Sequence, residues 1–198
     1  MARDSDRVLR LFYGILLPAP IQQEVASLQE RLRPCGAKVK WVAPENLHLT
    51  LNFLGEVAAL ALPDLKLAGA KVAAEMPAWD ARLQGLGAFP KLKQPRTLWV
   101  GASEGAEPMA HLAGQLAHLL VEEALVACDD RKPFHAHCTF GRVKAPQGVQ
   151  ALVKLMEQEN KFTASPFRCD QFQLMASELE ASGPRYTVLA SFSLGLER

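Results

Sequence analysis

The spacing of apolar residues along the chain switches repeatedly between a period of two and a helical period, and each switch marks an element. Residues 8–17 are dense in branched and aromatic side chains and predict a strand, stopped by Pro18 and Pro20. Ile21, Val25, Leu28 and Leu32 recur at helical spacing, so 21–32 is predicted as a helix with Pro20 suited to its first turn. Residues 38–43 predict a strand, 44–46 a turn, and 47–54 a strand closed by Gly55. A helix follows over 60–76, then strands over 79–89 and 97–102, separated by a basic, proline-bounded loop, 89–96. The longest predicted helix is 108–127, with Met109, Leu112, Leu116, Leu119 and Leu120 on its apolar face. A strand over 135–143, a short helix over 149–159 and strands over 167–177 and 185–196 complete the series.

Strands and helices therefore interleave without a low-complexity linker and without the 20–50-residue period of a solenoid. One short pattern does recur, once in each half of the chain: His48-Leu49-Thr50 and His137-Cys138-Thr139. Each lies in a predicted strand shortly before a helix. The expectation is an α+β fold with residues 1–198 as a single domain. It would have two pseudo-symmetric lobes, each with an antiparallel sheet and flanking helices, and an active-site cleft between them.

A strand alternates its side chains, so His48 shares a face with Thr50 and His137 with Thr139. Imidazole titrates near neutrality, and two imidazoles flanking one phosphate can divide labour. The neutral ring takes a proton from water while the protonated ring gives one to the departing oxygen. Threonine hydroxyls can donate to the non-bridging oxygens. Arg142 is the candidate clamp on the same oxygens, with Lys144 a weaker one. On a regular strand Arg142 faces away from His137, so this role demands a bulge or bend at Gly141. The plainer readings are strand histidines, threonines chosen for β-propensity and a solvated arginine.

Charge narrows the choice. With 22 Lys and Arg against 21 Asp and Glu, the formal charge is +1, so an anionic ligand must be held locally. Lys91, Lys93 and Arg96, with Lys38 and Lys40, form either a basic rim or a solvated surface. His111 and His118 lie on the polar side of the long helix with Gln115 and Glu122. Cys35, Cys128, Cys138 and Cys169 are scattered and read as reduced thiols. His135, Cys128 and Cys138 fit no standard zinc spacing, so no metal and no cofactor are expected. No apolar run approaches the roughly 20 residues of a membrane helix, and the charged start lacks the apolar core of a signal peptide. A cytoplasmic protein is expected.

The flanks of both patterns carry a resemblance. Asn46-Leu47-His48-Leu49-Thr50-Leu51, continuing to Phe53-Leu54-Gly55-Glu56, is similar to the first signature of the two-histidine phosphoesterases. It is nearest to the RNA 2′,3′-cyclic phosphodiesterases, also called 2′-5′ RNA ligases. Pro133-Phe134-His135 with His137, Thr139 and Arg142 resembles their second signature, except that Ala136 stands where proline is common. Arg10 to Phe12, Phe89-Pro90, Pro95-Arg96 with Leu98-Trp99, Ser177 to Leu179, Gly183 and Tyr186-Thr187 follow in the family's order. The resemblance implies a bilobal fold and metal-independent opening of a terminal 2′,3′-cyclic phosphate to a 2′-phosphomonoester. For some members it also implies 2′-5′ joining of RNA. It gives His48 as proton donor, His137 as proton acceptor, Thr50 and Thr139 as their companions and Arg142 as phosphate ligand. Phe12 would be an aromatic wall for the base. The partners implied are RNA ends or small nucleoside 2′,3′-cyclic phosphates, met by a monomer. Two alternatives stay open: a nucleotide-binding module without turnover, and a relative specialised for 2′-5′ oligoadenylate or another cyclic phosphodiester.

Overall fold

The structure is a computed structural model, and it describes residues 7–125, 134–179 and 184–195. Its strands are β1 (Val8–Leu16), β2 (Val39–Trp41), β3 (His48–Ala58), β4 (Trp79–Lys91) and β5 (Gln94–Glu104), then β6 (His137–Val143), β7 (Phe167–Cys169), β8 (Gln171–Leu179) and β9 (Pro184–Ser193). Its helices are α1 (Ala19–Leu32), α2 (Leu62–Glu75), α3 (Ala106–Glu122) and α4 (Val149–Gln158).

The strands form one antiparallel sheet in the order β7-β4-β5-β6-β3-β1-β8-β9, with β2 attached to β6. That order has four strands on each side of the junction of β6 and β3. The two central strands meet through a single pair, Leu49 with Cys138. On one side β3, β1, β8 and β9 follow outward, and on the other β6, β5, β4 and β7 mirror them. The two expected lobes are thus two halves of one sheet, joined at the two strands that carry the His-x-Thr patterns. They are not two consecutive halves of the chain, because β8 and β9 return to the lobe of β1.

Local patterning explains most elements. Ile21, Val25, Leu28 and Leu32 of α1 are all buried, and each such side chain contributes about 1.5–3 kcal/mol by leaving water. Pro18 caps this helix in an extended conformation, with Pro20 in its first turn. In α3 the buried stripe is Met109, Leu112, Leu116 and Leu120, whereas Leu119 is only partly buried. This helix stops at Glu122, and 126–127 of the predicted span lie outside the described residues.

Three expectations needed correction. The basic loop 89–96 is the end of a hairpin, because β4 and β5 continue through Pro90, which faces Pro95, to a turn at Leu92 and Lys93. Proline in both strand ends had argued for a loop. The predicted strand 167–177 is two strands broken at Asp170: β7 pairs with β4, and β8 crosses to pair with β1. The strand predicted to close at Gly55 runs on to Ala58, with Gly55 at φ +74° where the register slips. No helix among the described residues is long and apolar enough to cross a membrane.

Candidate active site

His48 is the first residue of β3 and His137 the first of β6. The antiparallel pairing of Leu49 with Cys138 carries His48 towards Thr139 and Thr50 towards His137. Leu49 and Cys138 turn into the core, so the four polar side chains occupy the opposite face. One sheet face thus brings together all four residues singled out by the repeat. Each imidazole is held the same way. His48 Nδ1 donates to the Asn46 carbonyl at 2.7 Å, and His137 Nδ1 donates to the His135 carbonyl at 2.6 Å. A carbonyl can only accept, so Nδ1 carries the proton in both neutral rings and Nε2 is left for chemistry.

Beyond each threonine the strand slips by one residue, and it does so at the same distance from each histidine. On β3, Gly14 pairs with Thr50 and Tyr13 with Asn52, skipping Leu51. On β6, Trp99 pairs with Thr139 and Leu98 with Gly141, skipping Phe140. Such bulges re-aim the side chains that follow. The fifth residue after each histidine consequently returns to the cleft face: Phe53 in one lobe, Arg142 in the other. This removes the objection that Arg142 points the wrong way. Gly141, beside the second bulge, packs against Val39, Leu98 and Trp41, where an added Cβ would come within 3.0 Å of the Val39 side chain. The carbonyl of Phe140 accepts a hydrogen bond from Nε2 of Gln29 at 2.8 Å and one from the Val42 amide at 3.0 Å. Gln29, 3% exposed on α1, also donates to the Val42 carbonyl. A buried amide thus ties the bulge to the helix behind it.

The cleft has a volume of about 810 Å3. It is lined by His48, Thr50, Thr139 and Arg142, by Arg10, Phe12, Phe53 and Tyr186, and by Lys40 and Lys144. His137 lies outside this lining, but its charge is felt at His48. Burial holds the pKa of His48 below the usual imidazole range, opposed by the bond to Asn46 and reinforced by the charges of Arg142 and His137. Burial likewise lowers the pKa of His137, with the charges of His135 and Arg142 adding to the effect. Arg142 also donates to the Thr97 hydroxyl at 3.2 Å. The charge of its guanidinium is felt at both imidazoles.

The aromatic surroundings differ between the half-sites. Phe12 and Tyr186 each lie 5.0 Å from the His48 ring. Phe12 is 3% exposed, so its ring walls the imidazole and offers little face to a ligand. Phe53 is 54% exposed, with the Arg10 guanidinium 4.8 Å from its ring centre. Sequence reasoning gave Phe53 no role, although its offset from His48 equals that of Arg142 from His137. The His137 ring packs against Phe89 at 5.0 Å and stands 5.6 Å from His135. Asn46 reaches across to the Pro184 carbonyl, anchoring the start of β9 and hence Tyr186. No group of three His, Cys, Asp or Glu side chains among the described residues is placed to hold a metal, and Cys128 lies outside them.

An antiparallel sheet of two four-stranded halves, with one His-x-Thr on the inner strand of each, is the arrangement of a two-histidine phosphoesterase. Comparison with known proteins identifies which kind. The family described as "LigT like Phosphoesterase" matches residues 15–99. The chain is similar to the RNA 2′,3′-cyclic phosphodiesterase of Thermus thermophilus, 38% identical over 191 residues that cover 94% of this chain and 90% of the relative. A crystal structure of a Thermus thermophilus protein superposes with a TM-score of 0.79 at 34% identity, covering 96% of this chain and all of that one. The E. coli LigT complex with 3′-AMP gives 0.75 at 26% identity, covering 95% and 99%. The chain belongs to the LigT-like phosphoesterase family and is an enzyme of that family.

Proposed function

We propose that this protein opens 2′,3′-cyclic phosphates, at RNA ends or on nucleosides, to 2′-phosphomonoesters by acid–base catalysis shared between two histidines. One observation carries the reading: the paired half-sites, each with Nδ1 tied to a backbone carbonyl and Nε2 available. In the assignment implied by resemblance, Nε2 of His137 takes a proton from water and the oxygen attacks phosphorus. The bond from phosphorus to O3′ breaks, and Nε2 of protonated His48 gives its proton to O3′. The 2′ ester remains as a phosphomonoester, and solvent resets both imidazoles. Thr50, Thr139 and Arg142 donate to the non-bridging oxygens, where charge builds as water adds.

The residues on this face supply acid, base and charge stabilisation themselves, so the reading needs no metal. Phe53 under Arg10 is the surface on which the base stacks, since an aromatic ring accepts any base. The 3′-AMP held by the E. coli relative supports a nucleotide as ligand. With a ribose 5′-hydroxyl in place of the attacking water, the same break of the bond from phosphorus to O3′ leaves a 2′-5′ diester, so ligation is the same chemistry. Both half-sites come from one chain, which supports a monomer.

A phosphorus NMR time course with 2′,3′-cyclic AMP and a cyclic-phosphate-ended oligonucleotide, in excess EDTA, tests this. The expected result is the 2′-monophosphate as sole product, absent with His48→Ala or His137→Ala. A 3′-monophosphate, or turnover that EDTA abolishes, would contradict the reading. Binding without turnover would turn it into a nucleotide-binding module.

A further inference from the structure

The cleft holds more positive charge than one cyclic phosphate can use. Lys40 lies directly opposite Arg142 in the β2–β6 register, and Lys144, the first residue past the end of β6, lines the same cleft. Like charges directly opposite each other destabilise a sheet. Among the described residues neither lysine forms an ion pair with a carboxylate, and both are exposed. Glu45 is the sole acid in the lining, against Arg10, Lys40, Arg142 and Lys144. In a chain of formal charge +1, that imbalance is local.

Distance separates these lysines from the reaction. Lys144 is five residues beyond Thr139, or roughly 13–16 Å at about 3.3 Å per residue with allowance for the bulge. Arg142 can reach back to the histidines, and its charge is felt at both. Lys40 stands one strand over from Arg142, and Lys144 two residues beyond it, past the end of β6. A nucleoside 2′,3′-cyclic phosphate carries one negative charge, which Arg142 and the two threonines already meet. A second anion is therefore needed to match the second group of cations.

We propose that Lys40 and Lys144 form a subsite for the next phosphate on the 5′ side of the terminal nucleotide. The preferred ligand is then a strand of at least two nucleotides, with its last base on Phe53 and its backbone leaving along β2 and β6. This rests on the nucleotide reading of the cleft given above. Contacts end at this second phosphate, so selectivity is for a terminus and not for long RNA.

Equilibrium binding tests the subsite independently of turnover. The probes are 3′-AMP and the dinucleotide ApAp, titrated by fluorescence or calorimetry against the full chain and against the Lys40→Ala/Lys144→Ala variant. Wild type should bind ApAp more tightly than 3′-AMP, and the variant should lose roughly tenfold of that preference. For wild type the salt slope for ApAp should exceed that for 3′-AMP by about 0.7, the value for one single-strand phosphate contact. In the variant the difference should vanish, and Lys40→Arg/Lys144→Arg should restore it. Adenosine 3′,5′-bisphosphate separates the sources: if it matches ApAp, a 5′ phosphate suffices and the strand is not required. An unchanged ratio of ApAp to 3′-AMP affinity in the alanine variant, or an equal salt slope for both probes in wild type, would overturn the subsite. Failure of wild type to turn over any cyclic phosphate would overturn the hydrolase reading and leave this ratio standing.

Discussion

At the scale of single residues, the two imidazoles are alike in their anchoring and differ in their neighbours. Both have lowered pKa values, first because they are buried. The base must be neutral and the acid protonated. The rising limb of kcat/KM therefore follows one lowered value and the falling limb the other, and the bell should peak on the acid side of about 6.5. A pH–rate profile with 2′,3′-cyclic AMP, whose diester does not titrate in this range, checks this. A maximum above pH 7 would show that the free enzyme does not hold its histidines as described. Arg142→Ala should lower kcat/KM by about 10²-fold, as loss of a preorganised donor does. Arg142→Lys should recover only part of it, because a point charge cannot replace the guanidinium fork. Phe53→Ala should act on KM, since base stacking is worth about 1–3 kcal/mol. An unchanged KM for a purine substrate would take the base away from that ring.

At the scale of elements, the two bulges decide which side chains the cleft receives. The residue pattern showed two strands with His-x-Thr, and it showed that Arg142 needed an irregularity to take part. It could not show that the irregularity exists. A bulge is made by pairing with neighbours distant in sequence, here β5 with β6 and β1 with β3. For the same reason no local pattern marks Phe53, and nothing in the continuous run 167–177 marks its split between two lobes. Helices were read more nearly, because their apolar stripes are local: Ile21, Val25, Leu28 and Leu32 mark α1 without help from the rest of the fold. Gln29 on that helix braces the bulge that precedes Arg142. Gln29→Leu removes the amide that the Phe140 carbonyl accepts from, so Arg142 should lose its aim. The expected result is a lower kcat/KM whose effect is much smaller when Arg142 is already alanine. Additive losses in that double-mutant cycle would mean that Gln29 serves stability alone.

At the scale of the molecule, the meeting of two four-stranded half-sheets at β3 and β6 gives the site its symmetry. The single Leu49–Cys138 pair sets His48 near Thr139 and Thr50 near His137. The pseudo-symmetry was legible from one repeated tripeptide, because each copy had to lie on a strand and the chemistry needed both. The exchange of β8 and β9 into the first lobe was not legible, since no local feature distinguishes a strand that stays from one that crosses. Symmetry also makes the two histidines a unit, so neither should retain much function alone. Single-turnover kinetics on a cyclic-phosphate-ended oligonucleotide, with His48→Ala, His137→Ala and the double variant, tests that most directly. Each single variant should lose at least about 10²-fold. The double should lose little more than either single, as for groups acting together. A double variant as slow as the product of the singles, or any of the three near wild type, would contradict a shared acid–base site.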